Sequence, residues 1–192
     1  MSRESKSQPM DGGPDPIDRA DSSDGQEISE GRDPAAEKQG VVLYAIRHGE
    51  KEAGPNPGLT PMGHARAAAL AETLAKVDVD VIFSSDYRRC QETVAPVAKL
   101  LGIKPTIIEA ADLRKQFDAL RALPPGSTAI LCGHANTVPM LVQALGSECP
   151  GLEFGMFPED AFDRLLVITY AAGEDAPPEK TKVYVRHYGE RT

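Results

Sequence analysis

The segment that decides the fold is Val41-Val42-Leu43-Tyr44-Ala45-Ile46-Arg47-His48-Gly49-Glu50. Its first six residues form an apolar run rich in β-branched side chains, which predicts a buried strand. The strand would bring Arg47 and His48 to its carboxyl end, and in open α/β sheets ligands bind at that edge. A histidine beside a fixed positive charge at such an edge indicates chemistry on an anion, above all a phosphate.

The first 40 of the 192 residues differ in composition from the rest. They hold ten acidic and five basic residues, with few and scattered apolar side chains. So little apolar surface does not offset the entropy cost of ordering. We therefore predict an acidic disordered tail over residues 1–38 and a single folded domain over residues 39–192.

Composition also limits the partners and the cellular location. The net charge is −8, of which the first 40 residues supply −5, and no basic stripe suited to nucleic acid is present. No apolar run approaches the ~20 residues of a membrane span. The segment 1–6 lacks the apolar core of a signal peptide, and the three cysteines show no CxxC spacing. These features predict a cytoplasmic protein with no nucleic-acid or membrane partner.

Strand and helix signals alternate after residue 40. Thr60-Pro61 is typical of a helix start, and Gly102 suits a helix end. Predicted strands cover residues 41–46, 80–84, 106–108, 127–132, 164–171 and 182–188. Predicted helices cover residues 61–76, 86–101, 112–122 and 137–145. The alternation predicts a three-layer α/β/α sandwich around a mostly parallel sheet of about six strands.

Polar segments follow three of the predicted parallel strands. They are Arg47-His48-Gly49-Glu50, the stretch from Ser84 to Arg89, and Gly133-His134-Ala135-Asn136. Parallel strands would bring all three segments to one edge of the sheet. A neutral imidazole, with a reference pKa of ~6.5, is a good nucleophile at pH 7. Arginine forks bind phosphoryl oxygens in a bidentate way, so these segments predict phosphoryl transfer through a phosphohistidine.

The same motifs resemble those of the histidine phosphatase superfamily, the phosphoglycerate-mutase-like proteins. Arg47-His48-Gly49-Glu50 after a strand is the signature of that family. Leu59-Thr60-Pro61-Met62-Gly63 is similar to its Leu-Thr-x-x-Gly helix start. The segment 84–93 resembles its arginine-bearing helix, and 133–137 resembles its second histidine motif.

The resemblance implies roles for four residues and a phosphoglycerate-mutase-like fold. His48 would be the phosphorylated nucleophile, and Arg47 and Arg89 would clamp the phosphate. His134, in its protonated form, would donate to the phosphate. Arg88 is the alternative to Arg89, although the family spacing, four residues before Thr93, favours Arg89. No cofactor and no metal is implied, and the histidines lack zinc-ligand spacing.

The chain departs from the family pattern at the general acid. Many members carry Leu-x-Glu soon after the third strand, where this chain has Leu113-Arg114-Lys115. Glu109 and Asp112 are the nearest acidic substitutes, and each also suits an ordinary strand-end or helix-cap role. A missing acid favours substrates with good leaving groups, such as phosphohistidine.

Chain length argues against mutase activity. Mutase members carry a long insertion between the helix arginine and the second histidine, but only 44 residues separate Arg89 from His134 here. We therefore predict a small phosphatase that acts on a phosphorylated small molecule or a phosphoprotein. A phosphate-binding module without catalysis, or an interaction protein that works through its acidic tail, are the alternatives.

Overall fold

The computed structural model describes residues 40–173 and 181–192. The predicted tail, residues 1–38, and most of the predicted turn before the last strand lie outside these ranges. Within them there are six strands: β1 (Gly40–Arg47), β2 (Val81–Ser85), β3 (Thr106–Ile108), β4 (Thr128–Gly133), β5 (Arg164–Ala171) and β6 (Lys182–His187). Four helices alternate with them: α1 (Pro61–Leu74), α2 (Arg88–Leu101), α3 (Leu113–Arg121) and α4 (Thr137–Ala144).

One six-stranded sheet runs through the described residues, in the order β3-β2-β4-β1-β5-β6. Strands β3, β2, β4 and β1 are mutually parallel, whereas β5 is antiparallel to β1 and to β6. The predicted mostly parallel sheet is therefore confirmed. The parallel arrangement puts the carboxyl ends of the first four strands at one edge, as the alternation of elements required.

Two hydrophobic clusters, one on each face of the sheet, give the three layers. Leu43 and Ala45 of β1 belong to a cluster with side chains of α3 and α4. Ile46 belongs to the other, with side chains of α1 and α2. Successive side chains of a strand point to opposite faces, so the continuous apolar run of β1 supplies both clusters. The predicted α/β/α sandwich is therefore confirmed.

Local signals set the helix ends. The Thr60 hydroxyl accepts a hydrogen bond from the backbone N–H of Gly63 at 3.1 Å, and Pro61 is the first helical residue. Gly102 ends α2 in the left-handed region, with φ 70°. Both features agree with the sequence prediction. None of the helices within the described ranges is both long enough and apolar enough to cross a membrane.

The entry to β5 carries a buried acidic residue, Asp163. Its carboxylate accepts a hydrogen bond from His187 Nδ1 of β6 at 2.7 Å. Arg164 turns the other way, towards the Gly151 carbonyl and the Phe157 ring. The antiparallel pairing of β5 with β6 makes this long-range contact, and the local sequence gives no sign of it.

Two glycines bring the start of α1 against the segment that follows β1. A Cβ atom at Gly63 would overlap the carbonyl oxygen of Glu50. A Cβ atom at Gly49 would lie 3.2 Å from the Cα atom of Gly63. The helix therefore approaches residues 49–50 as closely as bare backbone permits, which fixes the path of the chain directly after His48.

We predict that Gly63→Ala destabilises the protein, although Gly→Ala within a helix normally stabilises by up to about 1 kcal/mol. The added methyl group would push α1 away from Glu50, and overpacking of this kind costs about 1–3 kcal/mol. Urea unfolding of Gly63→Ala and of the exposed neighbour variant His64→Ala measures the difference. Equal stability of the two variants would show that α1 can shift without cost.

Candidate active site

The carboxyl ends of the parallel strands, with the start of α2, form a cavity of about 380 Å³. His48 enters it from the end of β1, His134 from the end of β4, and Arg89 from the first turn of α2. The remaining lining residues are Tyr87, Ala110, Ala111, Ala135, Asn136 and Thr137. Three of the four predicted site residues therefore share one cavity, and the fourth, Arg47, lies beside it.

His48 is held in one orientation by two backbone carbonyls. Its backbone N–H donates to Gly133 O at 3.0 Å, which ties the end of β1 to the end of β4. Its ring Nδ1 lies 2.8 Å from Gly49 O. Because a carbonyl oxygen can only accept, the ring proton sits on Nδ1, and Nε2 keeps a free lone pair.

The surroundings of His48 favour the neutral ring. The residue is 4% exposed. Burial, aided by the positive charges of Arg89 and Arg47, lowers the pKa of His48 to about 3, although the Gly49 carbonyl favours the protonated form. At neutral pH the imidazole is therefore unprotonated at Nε2, as nucleophilic attack requires.

His134 lies edge-on to His48, with 5.4 Å between the ring centroids. Arg89 Nη2 lies 3.1 Å from His134 Nδ1, and an arginine can only donate, so Nδ1 is the acceptor. The proton is then on Nε2, which donates to Ser85 Oγ at 3.1 Å. In this arrangement Arg89 and Ser85 hold the His134 ring from both of its nitrogens.

Each of the two predicted phosphate-binding arginines lies over an aromatic ring. The Arg47 guanidinium carbon is 4.1 Å from the ring centroid of Phe162, and that of Arg89 is 4.2 Å from the centroid of Tyr87. Arg47 Nη1 also donates to Pro158 O at 2.9 Å and to Glu159 O at 2.8 Å. Stacking and hydrogen bonding thus fix both guanidinium planes.

Both guanidinium groups retain a buried donor. The Nε atoms of Arg47 and Arg89 have no hydrogen-bond partner among the described residues. A buried N–H without an acceptor costs about 1–3 kcal/mol, so such groups are rare unless they serve a ligand. Two of them beside His48 indicate a site built for an anion.

The structure separates the two candidate helix arginines. Arg89 lines the cavity and contacts His134. Arg88 points away from it, because its exposed guanidinium donates to Glu92 at 2.6 Å, one turn along α2. The family spacing and the structure therefore both favour Arg89 as the arginine that faces His48.

Neither candidate acid lines the cavity. The Asp112 side chain accepts a hydrogen bond from the Lys115 N–H at 2.9 Å and so caps α3. Glu109 is exposed and contributes its backbone carbonyl to Gln116. The wall that follows β3 consists of Ala110 and Ala111, whose side chains carry no acidic group.

The segment after His48 is fixed by a buried ion pair that sequence reasoning missed. Arg66, which is 2% exposed, donates through Nε and Nη2 to the Glu50 carboxylate at 2.7–3.0 Å. Its Nη1 donates to the carbonyls of Tyr188 and Glu190. All three partners of Arg66 lie at least 16 residues away in the sequence, so no local pattern could have revealed the pair.

Thr93 ties the same segment to α2. Its hydroxyl donates to Arg89 O at 2.7 Å and accepts the Gly49 N–H at 3.0 Å. This single side chain therefore sets the spacing between the segment after His48 and the helix that carries Arg89. Within the described residues, no three His, Cys, Asp or Glu side chains group in the manner of a metal site.

Comparison with known proteins agrees with this geometry. The family model described as "Histidine phosphatase superfamily (branch 1)" matches residues 43–114, which hold β1, His48 and Arg89. The solved structure of the protein histidine phosphatase SixA complexed with tungstate superposes with a TM-score of 0.56. That match covers 76% of this chain and 96% of the other at 19% identity, so it bears on the fold. Over residues 43–114 the chain is therefore similar to the histidine phosphatase superfamily, and its fold is that of SixA.

Two curated relatives match shorter segments. "PE-PGRS family protein PE_PGRS11" of Mycobacterium tuberculosis is 39% identical over 80 residues, covering 36% of this chain and 14% of that protein. A protein of Hydrogenobacter thermophilus that carries the name of a phosphoserine phosphatase is 32% identical over 75 residues, covering 35% and 37% of the two chains. The chain thus spans less than half the length of these relatives.

We predict that the ring of His48 stays neutral, with its proton on Nδ1, from pH 8 down to pH 5. A free histidine with the ordinary pKa of 6.5 would titrate through that range, whereas the pKa of His48 lies at about 3. Nitrogen-15 NMR of the imidazole, assigned with His48→Gln, measures both the tautomer and the titration. A His48 signal that titrates near pH 6.5 would contradict the role of burial.

Proposed function

We propose that this protein is a phosphatase that forms a covalent phosphohistidine on His48. One observation carries the proposal. The buried imidazole of His48 lies within the electrostatic influence of Arg47 and Arg89, and each of these arginines has a buried Nε–H donor that lacks an acceptor among the described residues. A phosphoryl group presents an electrophilic phosphorus to the His48 imidazole and acceptor oxygens to the two arginines.

In the first step the lone pair of His48 Nε2 attacks phosphorus. The Nε2–P bond forms while the bond from phosphorus to the leaving group breaks, and the leaving group departs with the bonding pair. Arg47 and Arg89 donate to the phosphoryl oxygens, where negative charge is spread in the transition state.

In the second step a water molecule attacks the phosphohistidine. The new O–P bond replaces the Nε2–P bond, the bonding pair returns to Nε2, and inorganic phosphate leaves. The water proton passes to a neighbouring base, and we propose His134, across the cavity from His48, for this role. The hydrogen bond from Nδ1 to Gly49 O stabilises the positive charge that the ring carries while phosphorylated.

The cavity wall favours substrates that need no strong proton donor. Ala110 and Ala111 line the cavity, whereas Glu109 and Asp112 on either side of them do not. The imidazole of a phosphohistidine leaves phosphorus more readily than an alkoxide does. We therefore propose a phosphohistidine substrate ahead of an alkyl phosphomonoester. The name of the SixA structure as a protein histidine phosphatase supports this choice.

The connection between the two catalytic elements supports a phosphatase of the small branch. The chain from Arg89 to His134 is taken up by the rest of α2, β3, α3 and β4, which leaves no segment for a mutase lid. Three buried free cysteines are consistent with a reducing compartment, and we propose a cytoplasmic location.

We expect His48→Ala to abolish release of phosphate from p-nitrophenyl phosphate, a substrate whose leaving group needs little protonation. Wild-type protein quenched during turnover with labelled phosphohistidine peptide should carry an alkali-stable, acid-labile label, and His48→Ala should carry none. The exposed variant His64→Ala is the control and should behave as wild type. A folded wild-type protein that binds phosphate yet hydrolyses neither substrate would favour the binding module.

The two neighbouring arginines provide a matched comparison. Arg89→Met should lower kcat by about 10²–10³, the usual cost of removing one donor to the transition state. Arg88→Met removes the same charge one position away and should change kcat less than about twofold, since exposed ion pairs contribute little. Steady-state kinetics on p-nitrophenyl phosphate measures both, and equal losses would refute the assignment of Arg89.

A further inference from the structure

A short hairpin stands beside the active site. Glu153 and Met156 exchange two backbone hydrogen bonds, of 2.8 and 3.0 Å, across the two residues between them. Those residues, Phe154 and Gly155, both have positive φ, at 50° and 81°. Two successive residues with positive φ are typical of the type I′ turn, which strongly prefers Asn-Gly.

The residue at the tip of this hairpin, Phe154, is unfavourable there in both its backbone conformation and its exposure. Phe154 has the only positive φ among the described residues other than glycine, a conformation unfavourable for an aromatic side chain. Its side chain is fully exposed, at 101% of the reference area, and Met156 beside it is 47% exposed. No packing within the described fold compensates for either cost, which points to a use outside the fold.

The base of the hairpin is joined to both halves of the active site. Phe157 is buried, and its N–H donates to Ala135 O, next to His134. The carbonyls of Pro158 and Glu159 hold the Arg47 guanidinium. Glu153 also lines a second cavity, of about 730 Å³, together with Arg47 and Phe162. The hairpin therefore projects from a segment that contacts both Arg47 and the chain next to His134.

A small substrate in the active site would not explain Phe154, because the residue lines neither cavity beside Arg47 and His48. A larger partner would reach it. The segment 147–163 also carries five acidic residues and no basic one. Asp163 is buried, which leaves Glu148, Glu153, Glu159 and Asp160 exposed in the segment that carries the apolar tip.

We propose that the 153–156 hairpin is a docking element for a protein substrate. Phe154 and Met156 would insert into an apolar patch on the partner, and the surrounding carboxylates would face basic residues that flank it. The phosphorylated side chain of the partner would then lie over the cavity of His48. This inference rests on the proposed phosphatase function and adds how a macromolecular substrate is held.

The test separates docking from chemistry. The substrates are p-nitrophenyl phosphate and a basic histone phosphorylated on histidine with phosphoramidate. Phe154→Asn suits the positive φ better than phenylalanine, so its thermal unfolding midpoint should equal or exceed that of wild type. We expect it to raise KM for the phosphohistone about tenfold, the loss of one interface anchor, with kinetics on p-nitrophenyl phosphate within about twofold of wild type.

Leu100→Gln is the matched control, since Leu100 is 56% exposed on α2, outside the hairpin. It should leave both substrates unaffected. A KM for the phosphohistone that Phe154→Asn leaves unchanged, or a loss shared equally with the small substrate, would overturn the proposal.

A binding measurement keeps the test independent of catalysis. Fluorescence anisotropy with labelled phosphohistone compares His48→Ala with His48→Ala/Phe154→Asn, neither of which can remove the phosphate. A Kd about tenfold weaker in the double variant supports docking, and equal Kd values overturn it. Failure of wild type to hydrolyse either substrate would refute the proposed function, while the anisotropy alone still decides the docking.

Discussion

The structure depends on one buried guanidinium group. Arg66 of α1 holds both oxygens of Glu50 and the backbone carbonyls of Tyr188 and Glu190, so one side chain joins the segment after His48 to the segment after β6. Losing one partner of a buried pair typically costs about 3–5 kcal/mol, because the other charge stays desolvated. The close approach of α1 to residues 49–50 positions Arg66 for this contact, and the contact keeps His48 in place.

The site is organised around two arginines, Arg47 and Arg89, whose guanidinium groups are held in fixed positions. Phe162 and Tyr87 each cover one face of an arginine, and neighbouring backbone carbonyls hold Arg47 in its plane. Groups fixed in this way need no reorganisation when a phosphate arrives. The same positive charges, with burial, keep His48 neutral, so the groups proposed to bind the phosphate also keep the proposed nucleophile in its reactive form.

The segment between α4 and β5 positions several parts of the site. It supplies the carbonyls that bind Arg47 and the ring that stacks on it, and it anchors to the His134 segment through Phe157. A family motif marks the strand ends but none marks this segment, so its importance was not foreseen. Its exposed, conformationally unfavourable Phe154 is the kind of local exception that functional surfaces retain at a cost in stability.

Sequence alone determined the fold class, the element order and the choice of His48, Arg89 and His134, because periodicity and helix signals are local and parallel strands align their carboxyl ends. The tertiary structure decided which contacts hold those residues in place. The Glu50–Arg66 pair, the Asp163–His187 hydrogen bond and the aromatic partners of the arginines join residues far apart in sequence. The orientation of His134 likewise depends on Arg89, a donor brought in by another element, and no local pattern encodes such contacts.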